Sequence, residues 1–413
     1  MTPIAESADI RSRYRAANRP LPPRPYHQIM DRKHYDDDHR AFGEAFRAFV
    51  DKVIVPNYLD WELAGITPRE VFREAGRGGF LGMSVPEQYG GGGVDDFRFN
   101  QILDEQIAAA GTTGSGLGIS LHNDTCLPYF LSFADDGQKD RWLPGIVSGE
   151  LITAIAMTEP GVGSDLAGMR TSATRDGDHY VVNGAKTFVT NGINADLVIT
   201  AVKTGSDPND RRGGMSLMII ERGMAGFERG RNLSKLGLHS QDTAELSFTD
   251  VRVPVENLLG EEGDGFAQLT RKLPQERLSI AVSGLAEASA AFHETVQYVR
   301  DRKAFGRPVA SFQNTKFVLA DLAADLDVAQ AYLDRCVDRL SSGELDAADA
   351  AKAKYYCTEL QGRAMDRCLQ LHGGYGFMSE YPISRRYADA RVTRIYGGTS
   401  EVMKSVISKS IGL

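Results

Sequence analysis

The sequence predicts a multi-domain α+β protein: an N-terminal helical domain, a middle antiparallel β domain and a C-terminal helical bundle. Three observations predict it. Apolar residues recur every three to four positions up to about residue 150, every second position from about 151 to 260, and every three to four again to the end. Two hairpin dipeptides, Asp176-Gly177 and Asn183-Gly184, fall in the middle section. At 413 residues, 42% of them hydrophobic, the chain has material for more than one core.

Residues 1–35 read as an extended arm, in which Arg11, Arg13, Arg15, Arg19 and Arg24 lead into and through Arg-Pro-Leu-Pro-Pro-Arg-Pro. A transit peptide or docking arm is one reading. The prolines oppose the amphipathic helix of a transit peptide, which favours a solvated tail of polyproline character. In the helical domain, 36–150, Phe42, Phe46, Phe49 and Val50 share one helix face. Thr67-Pro68-Arg69-Glu70 reads as an N-cap, a first-turn proline and a capping-box acid. Tyr89 to Gly93 is a break between helices, and Gly114 to Gly118 is a close helix-packing segment rather than a nucleotide loop. The β domain, 151–260, has expected strands at Ile152–Ala156, His179–Val182, Thr187–Thr190, Ser216–Ile220 and Glu245–Val253, with a polar loop from Lys203 to Gly214. In the last domain, 261–413, Val318, Leu322, Leu326, Ala329, Leu333, Val337 and Leu340 form one apolar stripe. Tyr356, Leu360, Ala364, Cys368 and Leu371 form a second, capped by Asp346 and ended by Gly373-Gly374.

Several function classes drop out. A net charge of −8 gives no footprint for nucleic acid. No apolar run has the length of a membrane span, and no secretion signal is visible. The four cysteines make no CxxC pair, so neither a disulfide framework nor a metal site is expected; a reducing, cytoplasmic setting is the default. No Walker A or strand-linked G-x-G-x-x-G sequence occurs.

The chemistry candidates begin at Met157-Thr158-Glu159-Pro160-Gly161-Val162-Gly163-Ser164-Asp165. Glycines there allow backbone N–H groups to converge as an anion nest for a pyrophosphate, or simply make a turn between strands. Lys186 to Gly192 (Lys-Thr-Phe-Val-Thr-Asn-Gly), Arg302-Lys303-Ala304-Phe305-Gly306, Leu371-His372-Gly373-Gly374-Tyr375-Gly376 and Ile395-Tyr396-Gly397-Gly398-Thr399-Ser400 follow in order. Together these five segments resemble the acyl-CoA dehydrogenase family of flavoproteins, from about residue 36 to the end. The helical–β–helical order is that family's fold.

The resemblance implies FAD as cofactor. By it, Met157 and Thr158 meet the flavin ring, Gly163 and Ser164 lie near the pyrophosphate, and Ser164 also meets the substrate's pantetheine. Phe188 stands against the flavin and Thr190 at its edge. Arg302, Phe305, Gln313, Gln370 and Gly374 would reach the FAD of a neighbouring subunit. Thr399 and Glu401 would flank the adenosine end of FAD. From its chemistry alone Arg302 suits phosphate, but it equally suits a helix C-terminus. A dimer is then the smallest working unit and a tetramer the expected assembly. An electron-transferring flavoprotein is the implied electron acceptor. A mitochondrial matrix location replaces the cytoplasm if the source is eukaryotic.

The family oxidises an acyl-CoA thioester to its trans-2-enoyl form, by α-proton abstraction and β-hydride transfer to flavin N5. Many members carry the base directly after the tyrosine of the Ile-Tyr segment, where this sequence has Gly397. The stretch Leu-Pro-Gln-Glu-Arg-Leu, with Pro274 starting a helix and Glu276 in its first turn, resembles the long-chain branch, which carries its base there. Glu276 is therefore the expected base, with Glu380 and Glu401 as weaker candidates. Gly397 and Gly398 leave room for it and offer backbone N–H groups to the thioester oxygen. Arg277 either orients the pantetheine or pairs with an acid of the bundle, and His372 is expected to be a packed structural histidine. Medium-to-long or branched acyl chains are the expected substrates. An acyl-CoA oxidase and a non-catalytic acyl-CoA or partner-binding protein are the alternatives.

Overall fold

The computed structural model describes residues 32–205 and 214–413. The five arm arginines and the proline-rich stretch lie outside the described residues. The arm ends earlier than composition suggests. Tyr35 is buried and its hydroxyl donates to Glu105 Oε2 at 3.0 Å, while Arg32 Nη2 donates to Glu105 Oε1 at 2.6 Å. Arg32 to Tyr35 thus pack on the helical domain.

Helix α1 (Asp37–Phe49) starts where the Asp36 carboxylate accepts from His39 N. Its face buries Phe46 and Phe49, as the period predicts. Helices α2 (Tyr58–Ala64) and α3 (Glu70–Arg77) follow. Here the expected capping box fails. Thr67 donates its hydroxyl to Ser240 O at 3.0 Å, and α3 begins with no side-chain cap. Tertiary contact has taken the residue that local chemistry would have used. Helix α4 (Arg98–Ala110) is buried on more than one face, including Gln101, Asp104, Glu105 and Gln106. Helix α5 (Thr113–Ser120) is the predicted packing segment: a Cβ at Gly116 would lie 2.5 Å from the Ile107 side chain. A π-helical turn, Leu121–Cys126, carries α5 into α6 (Leu127–Phe133), and α7 (Asp136–Ser148) closes the domain with an Asp135/Gln138 capping box.

The β domain contains β1 (Thr153–Ala156), β2 (Ser172–Asp176), β3 (His179–Thr190), β4 (Leu197–Lys203), β5 (Met215–Glu221), β6 (Phe227–Asn232) and β7 (Thr243–Pro254). The order is β1-β4-β2-β3-β7-β6, with β5 on β4. The sheet is mixed rather than purely antiparallel, since β1 pairs parallel to β4. Asp176-Gly177 does turn β2 into β3. Asn183-Gly184 does not turn: β3 runs through it for 12 residues. Gly184 instead sits at a register shift against β7, at φ +148, and a Cβ there would lie 2.7 Å from Thr171 Cα.

Helix α8 (Gly265–Asp301) opens the last domain. It starts nine residues before Pro274, so Glu276 lies in the helix interior, not the first turn. Pro274 removes one backbone donor from that helix without ending it. The hairpin β8 (Lys303–Ala304) and β9 (Arg307–Pro308) turns at Phe305 and Gly306, both with positive φ. Helices α9 (Gln313–Ser341), α10 (Ala347–His372), α11 (Pro382–Ala390) and α12 (Ser400–Ser410) complete the chain. Both predicted stripes are buried at Leu322, Leu326, Leu333, Val337, Leu360, Ala364 and Cys368. The Asp346 carboxylate caps α10 as expected. Helix α8 packs on α9 and α10 and also on α4, which brings both helical domains against the helix that carries the candidate base.

Candidate active site

Glu276 is 5% exposed, and Tyr129 on α6 donates its hydroxyl to Oε1 at 2.7 Å. Burial pushes the Glu276 carboxyl up to about 7, with the Tyr129 hydrogen bond, Arg277 and Lys272 opposing it. A carboxylate poised near neutrality suits proton abstraction.

Glu276 lines a cavity of about 170 Å³. Met157, Thr158, Phe188 and Thr190 of the β domain line it too, as do Tyr396 and Gly397 from the other end of the chain. The structure thus gathers residues from three of the five motif segments and the Glu276 helix. Phe188 is 68% exposed and takes φ +59, a left-handed backbone uncommon for a bulky residue. Its ring lies open at the cavity, with the half-buried hydroxyls of Thr158 and Thr190 beside it.

The glycine loop forms no αR–αL nest. No residue in it has positive φ, and the N–H groups of Glu159 and Val162 bond each other's carbonyls at 2.9 and 3.0 Å. Its glycines serve space instead. A Cβ at Gly161 or Gly163 would meet nothing within 4 Å, and the loop borders a second cavity of about 480 Å³. A buried ion pair fastens the loop from below: Lys186 Nζ donates to Glu159 Oε1 at 2.9 Å and to Met157 O at 3.1 Å. Ser164 is exposed on this loop and does not line the Glu276 cavity.

The turn at the end of the chain explains its glycines. Gly397 has φ +63 and Gly398 φ +94. A Cβ at Gly397 would collide with Ile280 Cδ1, and one at Gly398 would lie 2.7 Å from Met403 Cε. Lys354, fully buried on α10, donates from Nζ to Gly398 O at 2.6 Å and holds the turn. Gly397 borders the cavity; Gly398 does not. Thr399 caps α12, accepting from Val402 N at 3.3 Å. Glu401 is exposed in the first turn, where its own backbone N–H and Thr399 lower its pKa.

The remaining expected site residues lie elsewhere. Arg277 is buried but does not border the cavity, and no carboxylate among the described residues forms a salt bridge with it; its Nε has no partner. The acid that acts on it is Glu276, whose charge favours the guanidinium against burial without a direct salt bridge. Arg302, Phe305, Gln313, Gln370 and Gly374 are exposed, around the β8–β9 hairpin and the end of α10, and none touches this chain's own cavity. Phe305 is 95% exposed, and the Arg302 guanidinium lies 5.1 Å over the Tyr375 ring. His372 is the packed residue expected, with Nδ1 on Cys368 O at 2.8 Å and its ring stacked on Tyr298. Sequence reasoning missed Tyr129, Lys354 and Asp104. Lys354 had one signal, a lysine within the buried register of Ala350, Ala353 and Cys357; Tyr129 and Asp104 had none.

Family models cover the chain in three parts: "Acyl-CoA dehydrogenase, N-terminal domain" at residues 36–150, the middle domain at 154–251 and the C-terminal domain at 263–412. The chain belongs to the acyl-CoA dehydrogenase family. It is 43% identical over 380 residues to a long-chain specific acyl-CoA dehydrogenase, mitochondrial, of Sus scrofa, covering 92% of this chain and 88% of that one. The crystal structure of an acyl-CoA dehydrogenase from Geobacillus kaustophilus superposes with a TM-score of 0.90 at 46% identity, covering 92% of this chain and all of that one. A glutaryl-CoA dehydrogenase from Mycobacterium smegmatis, solved in complex with FADH2, superposes at 0.86 with 26% identity, covering 94% and 98% of the two chains. As an acyl-CoA dehydrogenase this chain is an oxidoreductase acting on a CH–CH bond, and FAD is its cofactor. Its residues fit that group: the open glycine loop leaves space for a pyrophosphate, and the exposed Phe188 ring with two threonine hydroxyls offers a surface for a flat ring system.

Proposed function

We propose that Glu276 removes the α-proton of a fatty acyl-CoA thioester, of medium-to-long or branched chain, to give the trans-2-enoyl-CoA. The observation that carries this reading is one cavity lined both by Glu276, with its raised pKa, and by Thr158, Phe188, Thr190 and the Gly397 turn. FAD, when bound, supplies the acceptor for the β-hydride. Tyr129 orients the carboxylate by its hydrogen bond to Oε1 and leaves Oε2 for the substrate proton. Gly397 presents backbone rather than side chain, and its N–H is offered to the thioester oxygen as enolate charge develops. The left-handed turn excludes a second carboxylate at that position, which would repel Glu276.

Met157, Gly163 and Ser164 would hold the cofactor from the loop, and Ser164 would also meet the pantetheine, which Arg277 orients from beyond the cavity. Arg302, Phe305, Gln313, Gln370 and Gly374 would reach a neighbouring subunit's FAD, their exposure being what such a role requires, and Thr399 and Glu401 would flank the adenosine end of FAD. A homodimer, assembled as a tetramer, and an electron-transferring flavoprotein as acceptor complete the reading. The test is anaerobic mixing with straight and branched acyl-CoA thioesters, followed by flavin absorbance. Bleaching by one class of chain is expected, and Glu276→Gln should retain FAD yet stay oxidised. Reduction of Glu276→Gln at the wild-type rate would remove Glu276 from the reaction.

A further inference from the structure

Asp104, on α4, lines the Glu276 cavity yet takes no part in the chemistry above. It is 4% exposed. Its Oδ1 accepts from Ser120 Oγ at 2.5 Å, and its Oδ2 has no hydrogen-bond partner among the described residues. Leaving a buried polar oxygen unpartnered is costly, so its position calls for a partner. None of the cations among the described residues forms a salt bridge to it.

Asp124 stands close by on the π-helical turn, but its own oxygens are satisfied: Oδ2 accepts from Ser279 Oγ at 2.6 Å and Oδ1 from Asn100 Nδ2. Burial, and then the charge of Asp124, push the Asp104 carboxyl well above the usual carboxylate range. Both effects favour the protonated form, in which the carboxyl is a donor as well as an acceptor. Ser120, Thr125, Ser279 and Ser283 put further hydroxyls on the same lining. Leu117, Leu121, Ile155 and Ile280 line the rest of the wall, so the polar groups form a patch that an unsubstituted alkyl chain would leave unpaired.

We propose that Asp104 is a specificity-determining residue, and that the acyl chain oxidised here carries a hydroxyl or keto oxygen that pairs with the Asp104 carboxyl. The inference rests on the reading of this cavity as the acyl site. A site built to hydrogen-bond a substrate oxygen rejects the analogue lacking it, because its own buried groups then go unpaired.

The holoenzyme tests it with acyl-CoA thioesters of equal length, unsubstituted or bearing one hydroxyl or keto group at successive carbons beyond Cβ. Wild type should favour one oxygenated position by at least about tenfold in kcat/KM. Asp104→Leu should lower kcat/KM for that substrate and raise it for the alkyl one, reversing the order. Asp104→Asn, of nearly the same shape, should keep part of the preference, and it stands in if the leucine variant does not fold. Wild type favouring the alkyl chain over every oxygenated one would overturn the inference while leaving the dehydrogenase reading intact. An equal loss on both substrates in both variants would overturn it too, by reducing Asp104 to a structural residue. Failure of every thioester to bleach the flavin would remove the underlying reading and this inference with it.

Discussion

At Glu276 burial opposes ionisation, the Tyr129 hydroxyl supports it, and burial is the larger effect. Two consequences are measurable. The base works only when deprotonated, so kcat/KM should fall about tenfold per pH unit below about 7. Tyr129→Phe removes a hydrogen bond that favours the charged form, and the acid limb of the same profile should move to higher pH. The second consequence concerns stability. The folded carboxyl holds its proton up to about 7, whereas the unfolded one gives it up near 4.5. Between those values the folded state binds more protons, so Glu276 destabilises the fold progressively as pH rises through that window, and by a constant amount above it. Glu276→Gln should therefore match wild type at pH 4 and be the more stable by roughly 3 kcal/mol at pH 8, read from thermal or urea unfolding. A variant no more stable at pH 8 would mean that the carboxylate finds better solvation than its burial implies.

At the level of elements, the loop and strand that frame the cofactor site depend on contacts that no local rule announces. The Lys186–Glu159 pair is buried on both sides, and Glu159 also accepts from the backbone N–H groups of Arg170 and Thr171 at 2.7 and 2.9 Å. Lys186→Met leaves that carboxylate without its cation and should cost about 3–5 kcal/mol, with loss of FAD on gel filtration. Adding Glu159→Gln should restore much of the stability; a double variant as unstable as the single one would deny that the unpaired charge is the cause. The helices of the last domain were legible because their stripes are long and helical in period, from Leu322 to Val337 and from Leu360 to Cys368. Strand β4 was not, because Leu197 to Val202 are buried on both faces and show no alternation. Asn183-Gly184 reads as a turn by local preference, but pairing with β7 on both sides of Gly184 made it a bulge. Pro274 reads as a helix start, yet packing of α8 against α4 and α10 carries the helix through it. Glu276 could be named because its neighbours in sequence carry a family pattern. Tyr129 and Asp104 meet it only through the fold, 147 positions away in the case of Tyr129.

Across the whole molecule, the expected FAD contacts divide into two groups. Thr158, Phe188 and Thr190 face the cavity, whereas Arg302, Phe305 and Gln370 are exposed away from it. Among the described residues nothing covers the second group: Phe305 is 95% exposed, and Phe377, just past Gly374, is 83% exposed. Rings so bare, one of them on a hairpin with φ +53 at Phe305, are poor choices for a surface that stays in water. If they close over the cofactor of a second subunit, FAD binding and association are linked, and each must strengthen the other by the same factor. Serial dilution should then release FAD, seen as rising flavin fluorescence, over the same concentration range in which sedimentation reports the loss of dimer. Arg302→Ala removes an exposed side chain with no salt bridge among the described residues and should change the melting temperature of the apoprotein little. It should shift FAD release to higher protein concentration, because the arginine's fork of donors is lost from the phosphate it would hold. FAD retained at full occupancy by a monomer would break the linkage, and would confine the cofactor to the wall formed by Thr158, Phe188 and Thr190.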